Sequence, residues 1–220
     1  MLDLALFESA PLQREPFDHL VVPNFLAGES LARARADFPR IGRPGLFPLS
    51  ELRYGGAFGR LIAAIEDRET ERSFARKFGV DLRDRPLMIT VRERCQRKDG
   101  RIHTDSACKI LTALLYLNEG WEKPEGRLRL LRRPDNLDDM VAEVPPIGGT
   151  LVAFRRTDNS YHGHAPYEGP RRYVMFNWVT SRAAAARELA RHRLSARIKI
   201  AWPSRDGAAR ARGAADATDG

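Results

Sequence analysis

Apolar residues recur at helical spacing in one segment of the N-terminal part of the chain, with charged residues between them. The apolar positions are Phe58, Leu61, Ile62, Ile65, Phe74 and Phe78. This spacing predicts an amphipathic helix over residues 58–79, with room for one break, and assigns these side chains to core packing. Upstream, residues 17–26 predict a short strand that ends at Pro23. Residues 1–85 are therefore expected to form a mainly helical N-terminal part.

The pattern changes at residue 86 to short runs of β-branched, aromatic and leucine residues, separated by loops with Gly, Asp, Asn and Pro. The runs cover residues 86–94, 109–118, 126–133, 149–156 and 171–180. They predict a β core over residues 86–180, either a barrel or a two-sheet jelly roll, with helices packed outside it. Alanines and arginines then predict a C-terminal helix over residues 181–202. Together these parts make one domain, 1–202, and residues 203–220 are expected to be a disordered tail.

The positive charge of the chain is concentrated near its C-terminal end. Residues 181–220 carry nine Lys and Arg against four acidic residues, so +5 of the net +8 lies there. The other 180 residues are nearly balanced, and nucleic acid is not expected as a partner. A solvent-exposed basic helix face is the simpler interpretation, and it includes His192; the alternative is an anion-binding surface.

Two further features concern the compartment and the cysteines. The longest mostly apolar run is eight residues from Ile110, which is too short for a membrane span. The first residues include an early acid and no basic segment, so no secretory signal is predicted and a cytoplasmic location is expected. Cys95 and Cys108 are too few for a zinc ribbon or a disulfide framework. The pattern carries no signal for an oligomeric state.

Candidate chemistry lies in the β region. His103 and Asp105 are two residues apart, and side chains at this spacing on an extended backbone point to the same side. His162 follows further along, at a turn before a strand. Two histidines and one carboxylate on one face of a metal form the ligand set of non-haem Fe(II) oxygenases. The His-x-Asp spacing alone is weak, and His164 is an alternative to His162 as the second histidine ligand.

Two adjacent arginines, Arg171 and Arg172, open the strand that follows these histidines. A buried guanidinium at this place could bind a dicarboxylate through two parallel hydrogen bonds. Strand alternation lets only one of the two side chains face the core. The prediction favours Arg172 over Arg171.

Taken together, these motifs resemble the 2-oxoglutarate/Fe(II)-dependent dioxygenase superfamily, in particular its prolyl 4-hydroxylase-like branch. The resemblance covers residues 17–180. It rests first on the pair His103-x-Asp105 and on His162, which is followed by Pro166 four residues later and by Arg172 ten residues later. It rests also on two segments: "KILTALLYLN", which contains Lys109, Thr112 and Tyr116, and "PPIGGTLVAF" at 145–154. One departure is the tyrosine that the branch usually has about nine residues before the first histidine. Arg94 and Cys95 stand there instead.

This resemblance implies a mainly β fold with flanking helices and a double-stranded β-helix core. It implies Fe(II) held by His103, Asp105 and His162, which would also be the catalytic residues. It further implies 2-oxoglutarate bound by Arg172, with Thr112 either a second contact or a core residue, and ascorbate to restore oxidised iron.

The implied reaction uses O₂ and hydroxylates a C–H bond of an unidentified small-molecule or peptidyl substrate, with release of succinate and CO₂. Two rival functions remain open. One is a catalytically silent jelly-roll binding module. The other is a cupin-type metal enzyme that does not use 2-oxoglutarate.

Overall fold

The computed structural model of this chain describes residues 2–201, with side chains described as far as residue 194. The predicted tail, residues 203–220, lies outside the described residues. The helices are α1 (Leu4–Ser9), α2 (Gly28–Ala36), α3 (Gly56–Glu66), α4 (Arg68–Phe78) and α5 (Arg182–Ala201). The strands are β1 (His19–Val22), β2 (Phe47–Pro48), β3 (Leu87–Cys95), β4 (Lys109–Tyr116), β5 (Leu128–Leu131), β6 (Met140–Val144), β7 (Leu151–Arg155), β8 (His162–Gly163) and β9 (Gly169–Val179).

The strands form two antiparallel sheets. The larger sheet has the strand order β1-β7-β4-β9-β3-β2, and the smaller sheet has the order β6-β5-β8. Central strands β4 and β9 pair from Lys109 with Val179 to Tyr116 with Tyr173. The two sheets face each other, because one cluster of buried side chains joins Leu114, Tyr116 and Met175 of the larger sheet to Leu128 and Leu130 of the smaller one.

The outer face of the larger sheet is covered by helices. Phe74 of α4 stacks on Phe7 of α1 at 4.3 Å and lies 5.7 Å from Phe176 and 5.0 Å from Trp178 of β9, measured between ring centroids. Even-numbered residues of β9, such as Val174, Phe176 and Trp178, therefore pack against the helices. Odd-numbered residues such as Tyr173 and Met175 face the space between the sheets.

The amphipathic segment expected over residues 58–79 forms two helices, α3 and α4. The break lies at Asp67, which has extended backbone and whose Oδ1 accepts a hydrogen bond from the Glu69 N–H at 2.7 Å. An Asp at this position satisfies one of the free N–H groups at the start of α4. None of the described helices is long and apolar enough to cross a membrane.

All five predicted β runs contain strands, namely β3, β4, β5, β7 and β9. The sequence pattern missed three further strands, β2, β6 and β8. Strand β6 is mostly half-buried and follows an acidic turn, so its residues show no strong apolar alternation. Strands β2 and β8 have two residues each, which is too short for any periodicity.

Candidate active site

The two histidines of the predicted metal site are joined through their backbones. His103 and His162 exchange both N–H···O hydrogen bonds, each at 3.0 Å. Residues paired in this way across an antiparallel bridge place their side chains on the same face. Their rings accordingly lie 4.4 Å apart between centroids. The bridge connects the loop before β4 to β8, so the smaller sheet fixes the position of both imidazoles.

Each of these imidazoles is oriented by a carbonyl oxygen. His103 Nδ1 lies 2.8 Å from the Arg101 carbonyl oxygen, and His162 Nδ1 lies 3.0 Å from that of Ser160. A carbonyl oxygen only accepts hydrogen bonds, so each Nδ1 carries the proton. Each Nε2 is left with a free lone pair, as a metal ligand requires.

Asp105 completes the cluster, and both of its carboxylate oxygens are bound by side chains from β4. Lys109 Nζ donates to Oδ1 at 2.8 Å, and Thr112 Oγ1 donates to Oδ2 at 2.5 Å. Burial by itself raises the pKa of Asp105, but Lys109 and His162 outweigh it and hold this pKa well below the ordinary value. The carboxylate is therefore charged and fixed in place.

The ligand atoms of His103, Asp105 and His162 lie within 4.8 Å of one another. His162 is neutral at physiological pH, because burial and then the nearby His103 lower its pKa to about 4 despite the attraction of Asp105. The cluster thus offers two neutral imidazoles and one carboxylate to a single point. Such a donor set suits a divalent transition metal.

A cavity of about 390 Å³ opens beside this cluster, between the two sheets. Its wall includes Arg92, Leu114, His164, Arg171 and Tyr173. The volume is within the range of small-molecule sites.

Arg171 is the buried cation of this cavity, with only 2% of its surface exposed. Its Nε donates to the Gly126 carbonyl oxygen at 2.8 Å, and one terminal nitrogen donates to Tyr116 Oη at 3.3 Å. Its guanidinium carbon also lies 5.3 Å from the ring centroids of Tyr116 and Tyr173. No carboxylate among the described residues forms an ion pair with it. Arg171 therefore presents an uncompensated positive charge to the cavity.

Arg172 lies on the opposite face of β9, so the predicted orientation of the arginine pair was wrong. Its side chain is 41% exposed, pairs with Glu93 at 3.4 Å and covers the ring of Phe38. It borders a separate surface hollow with Trp121 and Tyr167. The physical reason is strand alternation, because Arg172 shares the face of Val174, Phe176 and Trp178 and not the cavity face.

Thr112 and His164 both border the cavity, in different roles. The Thr112 hydroxyl donates to Asp105 and accepts from Asn177 Nδ2 at 2.8 Å, so its contact is with the carboxylate of the cluster. His164 Nδ1 donates to the Ala165 carbonyl oxygen at 2.9 Å, and this histidine is not part of the three-residue cluster. Burial and then Arg171 lower the pKa of His164 to about 4.

Sequence reasoning missed the contribution of α5 to this cavity. Glu188, Arg191 and His192 border it, although His192 was expected to be solvent-exposed. Ala184, Glu188 and His192 follow one another at intervals of four residues, and the first two are 2% and 8% exposed. This helical spacing was the available signal, but the surrounding arginines concealed it.

Comparison with protein families identifies the β core. Residues 93–180 match the model of the 2OG-Fe(II) oxygenase superfamily. Within these residues the chain is similar in sequence to that superfamily. The match includes all three residues of the cluster and both arginines. A comparison with curated protein sequences finds no significant match.

Solved structures share the fold. A prolyl-4-hydroxylase of Pseudomonas putida aligns with a TM-score of 0.54 and 18% identity over 81% of this chain and 97% of its own. HygX from Streptomyces hygroscopicus, solved with nickel and 2-oxoglutarate, aligns with a TM-score of 0.52 and 15% identity over 81% of this chain and 86% of its own. The viral collagen prolyl hydroxylase of Paramecium Bursaria Chlorella virus-1, solved as a 2OG complex, aligns with a TM-score of 0.50 and 15% identity over 73% of this chain and 94% of its own.

At these identities the structural likeness shows the fold alone, and that fold is the expected double-stranded β-helix with flanking helices. The family match indicates a 2-oxoglutarate-dependent Fe(II) oxygenase, and the fold agrees with it. Its cofactor is Fe(II) and its co-substrate is 2-oxoglutarate. The expected resemblance to the prolyl 4-hydroxylase-like branch is confirmed.

Proposed function

We propose that His103, Asp105 and His162 hold Fe(II), that Arg171 binds 2-oxoglutarate, and that the protein hydroxylates a C–H bond of a further substrate. Succinate and CO₂ would be the products formed from 2-oxoglutarate. The observation that carries the proposal is the convergence of three ligand atoms within 4.8 Å at the wall of a cavity that also contains an unpaired buried arginine.

The residues fit Fe(II) in their chemistry. Two imidazole nitrogens and a carboxylate oxygen on one side of an ion leave the other side open, which is the arrangement that non-haem iron oxygenases use. Lys109 and Thr112 keep Asp105 charged and oriented, as partners of metal ligands commonly do. Neutral His162 needs to lose no proton before it binds a metal.

The cavity also fits a dicarboxylate. Arg171 is held between two tyrosine rings, so its guanidinium has one orientation before any ligand arrives. Its surroundings are two neutral oxygens, which leave the charge free for a carboxylate. The pKa of Tyr116 is raised to about 12 by burial, so this phenol stays neutral and does not neutralise the arginine.

The roles divide simply. When bound, the iron and 2-oxoglutarate supply the activation of O₂ and the oxidising power. His103, Asp105 and His162 fix the position of the metal. Arg171 orients the co-substrate through its remote carboxylate, and apolar wall residues such as Leu114, Leu128 and Met175 exclude water. The protein itself moves no proton in this proposal.

Both rival functions are less well supported. A catalytically silent binding module has no use for a charged carboxylate clamped beside two free imidazole lone pairs. A cupin-type enzyme that does not use 2-oxoglutarate has no need of a buried, unpaired arginine in the same cavity. Arg171 is therefore the feature that favours the oxygenase over the cupin-type enzyme.

The test is to measure Fe(II)-dependent consumption of 2-oxoglutarate and formation of succinate by the purified protein. We expect His103→Ala, Asp105→Ala and His162→Ala each to lose metal binding, measured by titration with Co(II), while the protein stays folded. His164→Ala is the matched control, since it removes a neighbouring cavity histidine and should retain Co(II). Repeating the assay without ascorbate tests the further proposal that ascorbate maintains the iron.

Loss of Co(II) binding in His164→Ala together with its retention in His162→Ala would show that the wrong histidine was chosen. Metal binding without any turnover of 2-oxoglutarate would favour the cupin-type enzyme. Absence of both would favour the silent module.

A further inference from the structure

The guanidinium of Arg171 is anchored by a loop. The shorter of its two described hydrogen bonds runs from Nε to the carbonyl oxygen of Gly126 at 2.8 Å, whereas its contact with Tyr116 Oη is 3.3 Å. Gly126 lies in the loop between β4 and β5, just before β5 begins at Leu128. The direction of the guanidinium in the active-site cavity therefore depends on how firmly this loop is fixed.

Two aromatic rings pack against Gly126 and fix its position. A Cβ atom added at residue 126 would lie 2.8 Å from Cζ2 of Trp121 and 3.0 Å from Cγ of Tyr167, which is closer than ordinary van der Waals contact. Gly126 also has a φ of +75°, a backbone conformation that residues with a side chain rarely adopt. The ring centroids of Trp121 and Tyr167 are 4.7 Å apart. These three residues therefore form one packed unit, which we call the aromatic clamp.

Each ring of the aromatic clamp is also hydrogen-bonded to the backbone. Trp121 Nε1 donates to the Glu125 carbonyl oxygen at 2.9 Å, and Glu125 directly precedes the glycine of the clamp. Tyr167 Oη donates to the Pro170 carbonyl oxygen at 3.1 Å, and Pro170 directly precedes the buried arginine. The clamp thus ties together the two backbone segments whose contact orients the guanidinium.

The aromatic clamp lies outside the cavity to which Arg171 presents its charge. Trp121 and Tyr167 border the separate surface hollow, and neither is among the described residues that line the active-site cavity. The two rings are therefore not placed to contact a metal or a co-substrate in that cavity. Their influence on a ligand there passes through Arg171.

We propose that the aromatic clamp positions Arg171 for 2-oxoglutarate, which makes Trp121, Gly126 and Tyr167 positioning residues of the reaction. The inference rests on the proposed function, in which Arg171 binds the co-substrate. A long side chain such as arginine loses conformational freedom when it binds a ligand, and fixing its guanidinium beforehand reduces that cost. Loss of the clamp should therefore weaken 2-oxoglutarate binding and leave the metal site as it is.

The experiment measures binding of 2-oxoglutarate to the Co(II)-loaded full chain by calorimetry. We expect Trp121→Ala and Gly126→Ala each to raise the Kd of 2-oxoglutarate by about tenfold, and Tyr167→Phe, which loses one hydrogen bond, to raise it by about threefold. The affinity for Co(II) should be unchanged. With Fe(II), the KM for 2-oxoglutarate should rise while kcat at saturating 2-oxoglutarate holds. Glu122→Ala is the matched control, since Glu122 is exposed in the same loop.

A double variant separates positioning from a general structural role. In the Arg171→Gln background there is no guanidinium to orient, so Trp121→Ala should cause no further loss of 2-oxoglutarate affinity. Equal losses in the two backgrounds would contradict the proposal. Thermal melting shows which variants are folded, and if Gly126→Ala is not, Trp121→Ala and Tyr167→Phe still decide the result.

Two other results would overturn the proposal. One is an unchanged Kd of 2-oxoglutarate in both Trp121→Ala and Tyr167→Phe, and the other is a loss of Co(II) affinity in parallel with the loss of 2-oxoglutarate affinity. Failure of the proposed function itself looks different, because the Co(II)-loaded wild-type protein would then bind no 2-oxoglutarate at all.

Discussion

Thr112, like Lys109, connects strand β4 to the carboxylate of Asp105, which is a proposed metal ligand. Its hydroxyl donates to Asp105 and accepts from Asn177, so it orients the carboxylate without itself reaching a metal. We expect Thr112→Val to weaken Co(II) binding by about ten- to a hundredfold, as is common when a partner of a metal ligand is removed. Co(II) titration of the folded variant measures this effect.

Two controls separate the hydrogen bond from packing. Thr112→Ser keeps the hydroxyl and should retain most of the affinity, and Thr180→Val changes an exposed threonine after β9 and should have no effect. If Thr112→Ser binds Co(II) as weakly as Thr112→Val, the role of Thr112 is to fill space and not to orient Asp105.

Arg171 gives the second prediction at this scale. A charge-assisted hydrogen bond contributes about 1.5–3 kcal/mol, so Arg171→Gln should raise the KM for 2-oxoglutarate by about ten- to a hundredfold. Metal affinity should stay unchanged, because the proposed partner of Arg171 is the co-substrate and not the metal. Arg171→Lys should recover part of the loss, since it keeps the charge and loses the planar pair of donors. Succinate formation against 2-oxoglutarate concentration is the measurement.

Arg172→Gln is the matched control on the neighbouring position, where the side chain is 41% exposed and faces Glu93. It should change the KM by less than about twofold, as expected for an exposed ion pair. A large effect at Arg172 and none at Arg171 would mean that β9 has the opposite orientation to the one described.

At the scale of elements, the strands with strong apolar runs could be predicted from the sequence. Which residues of β9 point to the cavity and which point to the helices could not be predicted. Both faces of β9 are buried, one against the helices and one against the smaller sheet, so Val174 and Met175 are equally apolar. Hydrophobicity therefore does not distinguish Arg171 from Arg172. His162 was predicted together with His103 and Asp105, but local spacing explains only the nearness of His103 to Asp105. The nearness of His162 depends on the long-range bridge to His103.

The break between α3 and α4 gives a prediction for these elements. Asp67 caps α4 through its hydrogen bond to the Glu69 N–H. We expect Asp67→Ala to lower the free energy of unfolding by about 1 kcal/mol, which is typical for loss of an N-terminal cap. Urea unfolding measures the change.

Glu66→Ala, at the exposed last residue of α3, is the control and should stay within about 0.5 kcal/mol of the wild type. Equal losses in Asp67→Ala and Glu66→Ala would point to a general effect of charge at this corner.

Across the whole molecule, the two faces of the larger sheet differ in polarity. The helix-covered face is mostly apolar, with Phe74 and Trp178 at its centre. The other face leaves a polar cavity that contains buried histidines, and burial favours the neutral form of these side chains. The cavity therefore makes the stability of the molecule depend on pH, because burying a charged imidazole is unfavourable.

The pKa of His162, His164 and His192 is lowered from 6.5 to about 4 in each case. Between pH 6.5 and pH 4 the unfolded chain therefore binds more protons than the folded domain does. Its free energy of unfolding must rise with pH in this window and fall as the solution is acidified. Each histidine contributes a slope of up to about 1.4 kcal/mol per pH unit. We expect urea unfolding of the metal-free protein to show this loss between pH 6.5 and pH 4 and little change between pH 7.5 and pH 8.

His164→Gln isolates one of these contributions, since a glutamine side chain binds no proton in this range. The slope of unfolding free energy against pH should become shallower by up to about 1.4 kcal/mol per unit between pH 4 and pH 6.5. Above pH 7.5 the slopes of variant and wild type should be the same, whatever the substitution costs in packing. An unchanged slope in the acid window would mean that the folded domain protonates His164 as readily as the unfolded chain does. The cavity beside Arg171 would then be wetter than its buried walls imply, and the anchoring of a carboxylate by that arginine would be correspondingly weaker.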